Sequence, residues 1–135
     1  MSDTDNTGEF IGAEDGERYQ VLGITAIIKL TSQETGNAFS LQEDHVAPGF
    51  RAPLHLHRSH TETFRILQGK AEIQVGTEKQ IASPGMTIHI PQGVQHAVQV
   101  LDQELRMMTT VTPGGFEGFF REIGALPTPD SKQLI

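Results

Sequence analysis

An all-β sandwich or barrel, closed by one short C-terminal helix, is the fold class this sequence predicts. Three observations carry it. Short runs rich in Val, Ile and Thr follow one another from Val21 to Val111. Gly, Pro and Asn punctuate them. No helical period separates them, which disfavours alternating strands and helices.

Val21–Leu30 reads as one strand, and Thr31–Asn37, with Ser, Thr, Gly and Asn, as a turn. Ala38–Val46 alternates, with Phe39 and Leu41 on one face and Ser40 and Gln42 on the other, until Ala47-Pro48-Gly49 breaks it. Leu54–His57, Thr63–Gln68, Ala71–Val75, Thr87–Ile90, Ala97–Leu101 and Glu104–Val111 follow as short strands. Gly69, Gly76, Pro84-Gly85, Pro91-Gln92-Gly93 and Asp102 separate them. Phe116, Phe119, Phe120 and Ile123 fall at i, i+3, i+4 and i+7, an apolar helical stripe. Glu117 and Arg121 are expected to pair on its other face. Gly124 suits the C′ position and Pro127 prevents continuation. The helix is expected to close one end of the barrel.

A chain of 135 residues is one domain of ordinary size. Residues 1–17 hold six acids and no base, and lack periodicity. They are expected to form a flexible acidic tail ahead of a domain spanning 18–126, with 127–135 as a C-terminal tail. The rest of the chain, with eleven acids against ten bases, is nearly neutral. It carries no Lys/Arg cluster, which argues against nucleic acid or an anionic membrane as partner. The absence of cysteine excludes disulfides, thiolate metal sites, iron–sulfur clusters and thiol catalysis. No run approaches the ~20 apolar residues of a membrane span. The acidic N-terminus has no apolar core of a signal peptide, so a cytoplasmic location is expected.

The histidines carry the chemistry. Five of the six lie between positions 55 and 96. Pro53 biases His55-Leu56-His57 toward extended backbone, where residues i and i+2 point to the same side about 6.7 Å apart. Their imidazoles can then converge on one ion, as they could not from a helix. Glu62 follows across a short turn, and His96 after the turn-like Pro91–Gln95. Any one of these histidines alone would more often be a surface or a satisfied core residue; the spacing sets them apart. Three imidazoles and a carboxylate suit Fe, Mn, Co, Ni, Cu or Zn as divalent ions, and suit Ca or Cu(I) poorly.

The surrounding glycines and prolines complete a pattern that resembles the cupin signature. Its first motif, G-x5-H-x-H-x3–4-E-x6-G, is filled by Gly49, His55, His57, Glu62 and Gly69. Its second, G-x5-P-x-G-x2-H-x3-N, is filled by Gly85, Pro91, Gly93 and His96, with Val100 in place of Asn. Met86 also stands where many relatives have Asp. Fifteen residues, Lys70 to Pro84, separate the motifs, as in compact microbial cupins. The resemblance covers roughly residues 20–124. The segment 112–122, with Pro53-Leu54-His55 and Glu62-Thr63-Phe64, is similar to small single-domain bacterial cupins labelled quercetin dioxygenase-like.

This resemblance implies a double-stranded β-helix, or jelly roll. It implies His55, His57, Glu62 and His96 as ligands of one divalent transition metal ion inside the barrel, and a homodimer. It further implies oxygen chemistry on an enolisable or aromatic hydroxylated small molecule, with Glu62 accepting the substrate's hydroxyl proton. The alternatives are an isomerase, lyase or cyclase that uses the metal as a Lewis acid without dioxygen, and a non-catalytic cupin that binds a metal or ligand.

Further contacts are expected around the site. If Phe39 faces the interior, Glu43 and His45 share its parity and reach the cavity. Arg51 and Arg65 can bind a substrate carboxylate, though a solvated surface is the default for both. Phe64, Ile66, Ile73, Val98 and Met108 are expected to line the cavity or fill the core. His60 is expected to be exposed on the ligand turn, and His89 to face opposite to Ile88 and Ile90.

Overall fold

The computed structural model describes residues 8–124. The tails expected at residues 1–7 and 127–135, the Pro127 stop and the side chain of Ile123 lie outside the described residues. Among the described residues, ten strands form two antiparallel sheets, followed by one helix. The strands are β1 (Glu17–Val21), β2 (Ile24–Leu30), β3 (Ser40–Val46), β4 (Arg51–His55), β5 (Thr61–Gln68), β6 (Ala71–Val75), β7 (Glu78–Ala82), β8 (Thr87–Ile90), β9 (His96–Val100) and β10 (Leu105–Thr112); the helix is α1 (Glu117–Gly124).

The six-stranded sheet runs β1-β2-β3-β10-β5-β8 and the four-stranded sheet β4-β9-β6-β7. Chain neighbours β3 and β4, β4 and β5, and β5 and β6 lie in different sheets. This crossing between layers is the jelly-roll arrangement expected. One core lies between the sheets, with Val46, Phe64, Ile66, Ile73, Ile90, Val100 and Leu105 buried in it. A second cluster, Val21, Ala26, Ile28 and Phe120, seats α1 on β1 and β2.

Several elements depart from the sequence reading. The run Val21–Leu30 is not one strand. Leu22 and Gly23, with φ of 46° and 85°, turn the chain so that Val21 faces Ile24. Both turn residues at positive φ match the primed hairpin turns. Glycine accepts that conformation freely, but Leu22 does not. The unbroken apolar run from Val21 to Ile24 gave no sign of this turn. The edge strand β7 was also unforeseen, because four of its five residues are exposed and polarity hid the alternation.

Glu17, assigned by sequence to the tail, begins β1. Just ahead of it, the Lys29 ammonium donates to the carbonyls of Gly12, Ala13 and Asp15. The helix begins one residue after Phe116 and includes Gly124. Its expected Glu117–Arg121 pair does not form. Glu117 is buried and accepts hydrogen bonds from the backbone N–H and hydroxyl of Ser32, while Arg121 reaches Glu17 at 2.9 Å. These longer-range partners tie both ends of α1 to the body.

Candidate metal centre and cavity

Three elements deliver the imidazoles. His55 closes β4, His57 follows in the β4–β5 connection, and His96 opens β9. His55 and His96 are direct cross-strand partners, a placement that brings Cβ atoms to about 5 Å. Their ring centroids lie 4.2 Å apart. His57 stands 5.2 Å from the His55 ring and 5.4 Å from the His96 ring. One nitrogen from each of the three comes within 4.8 Å of the others, close enough to hold one metal ion.

Glu62, on β5, comes from the facing sheet. Its Oε1 lies 3.3 Å from His96 Nε2 and 3.5 Å from His57 Nε2. The cluster therefore joins the two sheets, with His55 and His96 on one, Glu62 on the other and His57 on the connection between them.

The hydrogen bonds prepare the rings for coordination. His55 Nδ1–H donates to the Pro53 carbonyl at 2.7 Å, and His96 Nδ1–H to the Val94 carbonyl at 3.0 Å. In each, the Nε2 lone pair is left for an ion, which is how ligating histidines are commonly oriented. Burial holds the His57 imidazole below its ordinary pKa. Burial acts the same way on His96, but the Glu62 carboxylate and the Val94 carbonyl outweigh it and raise that pKa. A nitrogen-and-carboxylate donor set of this kind fits a divalent transition metal.

The four residues sit in the wall of a cavity of about 550 Å³ between the sheets, within the size range typical of small-molecule sites. Its wall is mainly apolar, with Val21, Ile24, Val46, Phe50, Phe64, Val98, Leu105 and Met107. Phe116, Phe119 and Phe120 of the α1 region join it. The Phe116 ring meets His57 edge-on at 6.1 Å and His60 at 5.7 Å.

Phe64 lines the cavity and is buried; Arg51 also lines it, with its residue exposed. Glu43 and His45 do not reach the cavity. In β3 the buried positions are Ser40, Gln42, Asp44 and Val46, and Gln42 and Asp44 are the residues in the cavity wall. Phe39, which anchored the opposite parity, lies just before the strand, so its facing carries no information about β3. Glu43 and His45 instead bond to each other at 2.7 Å on the outer face. The same alternation moves Met108 out of the cavity and Met107 and Thr109 into it. Ile66 and Ile73 belong to the core.

His60 is half-buried beneath Phe116 rather than exposed, because the aromatic ring covers it. His89 faces opposite to Ile90, bonds Thr63 Oγ1 at 3.0 Å, and lines a separate recess of about 230 Å³.

The buried polar group that the sequence reading missed is Asp44. Gln42 Nε2 donates to its Oδ1 and Thr109 Oγ1 to its Oδ2, both at 2.7 Å. Burial raises its carboxyl pKa from 3.8 to about 6, against the lowering effect of these two donors. Correct strand parity was the signal that would have found it.

The family model described as "Cupin domain" matches residues 42–113, which contain both histidine motifs. Two curated proteins are similar. "Quercetin 2,3-dioxygenase" of Bacillus subtilis (strain 168) is 29% identical over 113 residues, 82% of this chain and 34% of that protein. "Quercetin 2,3-dioxygenase" of Aspergillus japonicus is 29% identical over 106 residues, 73% of this chain and 30% of that protein. The chain therefore spans about a third of the length of these relatives. Among solved structures, KdgF from Halomonas sp. superposes with a TM-score of 0.73 at 20% identity, over 83% of this chain and 99% of that one. That likeness concerns the fold.

Proposed function

This chain belongs to the cupin domain family, and from that premise we propose that it is a metal-dependent small-molecule oxidoreductase, a dioxygenase of an enolisable or aromatic hydroxylated substrate. The observation that carries the reading is the convergence of His55, His57, His96 and Glu62 at the wall of an apolar cavity. The similarity to two quercetin 2,3-dioxygenases supports the choice among cupin chemistries.

His55, His57, His96 and Glu62 would hold the ion. A divalent transition metal bound there would supply Lewis acidity toward a hydroxyl-bearing, enolisable substrate. The remaining work falls to the chain. The Pro53 and Val94 carbonyls fix the His55 and His96 rings through their Nδ1–H groups. Phe50, Phe64 and Phe116 offer flat apolar surface for a ring and keep water away. Glu62 would take the substrate's hydroxyl proton on its carboxylate.

The test is oxygen uptake with quercetin by the full chain, purified without an affinity tag and reconstituted separately with Fe, Mn, Co, Ni or Cu. Near-stoichiometric metal, lost in His57→Ala, with one dioxygen consumed per quercetin, is the expected result. Glu62→Gln is expected to slow turnover by about 10²- to 10⁴-fold. Full metal occupancy without oxygen uptake would overturn the dioxygenase reading and favour a Lewis-acid or binding role.

A further inference from the structure

The cavity has a second polar feature, away from the histidines. On the inner face of the six-stranded sheet, Asp44 stands opposite Met107 of β10 and Ala26 of β2, beside Val46. Thr109 stands opposite Gln42 and, on its other side, Phe64. Glu62 is opposite Val111, so it lies one inward step from Phe64 along β5. Strand geometry then puts the Glu62 and Asp44 backbones roughly 15 Å apart. Met107, Thr109 and Phe64 lie between the two positions, yet the carboxylates are near enough that the Glu62 charge adds to the rise in the Asp44 pKa.

Asp44 is only 5% exposed and still lines the cavity. Each of its oxygens receives one donor from the wall, from Gln42 or Thr109. A carboxylate oxygen accepts two hydrogen bonds, so acceptor capacity remains on both. The wall has already turned its nearby donors toward this carboxylate. What the pole lacks is a donor from the cavity side. A purely structural role is poorly served by a charged group here, since an apolar side chain would suit Val46, Ala26 and Met107 without desolvating a carboxylate.

We propose that Gln42, Asp44 and Thr109 form a hydroxyl-reading pole, so that the cavity selects a largely apolar, ring-containing molecule carrying an O–H or N–H donor in addition to its metal-chelating edge. This deepens the metal-dependent reading above by naming the class of its substrate. The pole itself functions without the ion, which lets the two be tested apart.

The probes are 2-naphthol and 2-methoxynaphthalene, which share a ring system and differ in one donor. Binding of each to the full chain is measured by calorimetry at pH 7.5, with and without one equivalent of zinc. Wild type is expected to prefer 2-naphthol by about 10- to 100-fold, the range for a hydrogen bond to a charged group. Asp44→Asn, in which the Gln42 amide can flip to keep the wall hydrogen bonds, is expected to cut that preference at least fivefold. It should leave 2-methoxynaphthalene binding unchanged. Asp44→Leu, suited to the apolar neighbours, is the second variant should Asn not fold, and is expected to abolish the preference. Equal affinity of wild type for both probes, no binding of either, or a preference that survives both substitutions would overturn the proposal. Failure to retain zinc would instead strike the metal reading and leave the naphthol comparison standing.

Discussion

Replacing Asp44 by Asn is expected to stabilise the protein at neutral pH and to remove part of its pH dependence. The carboxyl ionises at 3.8 in its ordinary setting and at about 6 when folded, because burial penalises the charged form. Between those values the folded chain holds a proton that the unfolded chain has released. Stability therefore falls as pH rises from about 4 to about 6, and is flat above. The gap from 3.8 to about 6 corresponds to about 3 kcal/mol. Asparagine cannot ionise and escapes this cost. It gives up about 1 kcal/mol by weakening the bonds from Gln42 and Thr109, so the net gain at pH 7.5 is about 2 kcal/mol. In urea, with a slope of about 2 kcal/mol per molar, the midpoint is expected to rise by about 1 M. Titrations of wild type and Asp44→Asn at pH 4, 5, 6 and 7.5 should show the advantage growing up to pH 6, and turning into a slight deficit by pH 4, where the weakened hydrogen bonds outweigh the remaining linkage. Carboxylates that do not interact with Asp44 cancel in the difference; Glu62, whose charge helps raise the Asp44 pKa, is the neighbour that does not. An advantage independent of pH, or none at pH 7.5, would refute the assignment of a raised carboxyl at position 44. Retaining a group that lowers stability at neutral pH is the pattern expected where function needs it.

Two further substitutions probe the frame that holds the site. Gly69 has φ of +81° where the chain passes from β5 to β6, and a Cβ there would lie 2.3 Å from the Glu104 carbonyl oxygen. Gly69→Ala is expected to cost about 3–5 kcal/mol, combining left-handed backbone with overlap against β10, and should lower the melting temperature by more than 10 °C in calorimetry. Phe120 is the buried anchor of α1 against Val21, Ala26 and Ile28; Phe120→Ala removes about 3 kcal/mol of packing. Because α1 contributes little to the main core, the effect is expected locally: amide exchange in residues 117–124 rises about 100-fold while the urea midpoint of the sheets holds.

The centre was more legible than its surroundings for a physical reason. Metal ligation demands particular side chains at particular spacings, and turns demand glycine or proline, so His55, His57, Glu62, His96, Gly49, Gly69, Gly85 and Gly93 stand out in the bare sequence. The cavity wall makes weaker demands. Whether Gln42 and Asp44 or Glu43 and His45 point inward turns on a single residue of register, and a slip of one flips every side chain to the other face. In β3 each face carries mostly polar residues with one aliphatic, Val46 on one and Leu41 on the other, so composition could not choose. The choice becomes visible only in the folded sheet, where Thr109 meets Asp44 across two strands. The hairpin at Leu22-Gly23 escaped notice for the opposite reason: its backbone requirement is met by a leucine, the residue least expected at positive φ.

That leucine also bears on the cavity. Leu22 is part of its wall, packed near Phe116 and Phe120, and its left-handed conformation costs about 1–2 kcal/mol that a glycine or asparagine would avoid. Such a cost persists where the surrounding structure overdetermines it. A side chain in that place extends the apolar wall between the hairpin and α1, on the side of the cavity built from β1, β2 and the helix. The polar requirements are met elsewhere, at the histidines and at Asp44. Under the two proposals above, a molecule held here would be gripped by apolar contact and recognised at two polar places, the histidine–Glu62 cluster and the buried carboxylate of Asp44. Specificity in such a cavity comes chiefly from its polar places, because a hydrogen bond to a charged group discriminates more strongly than a methylene in an apolar wall.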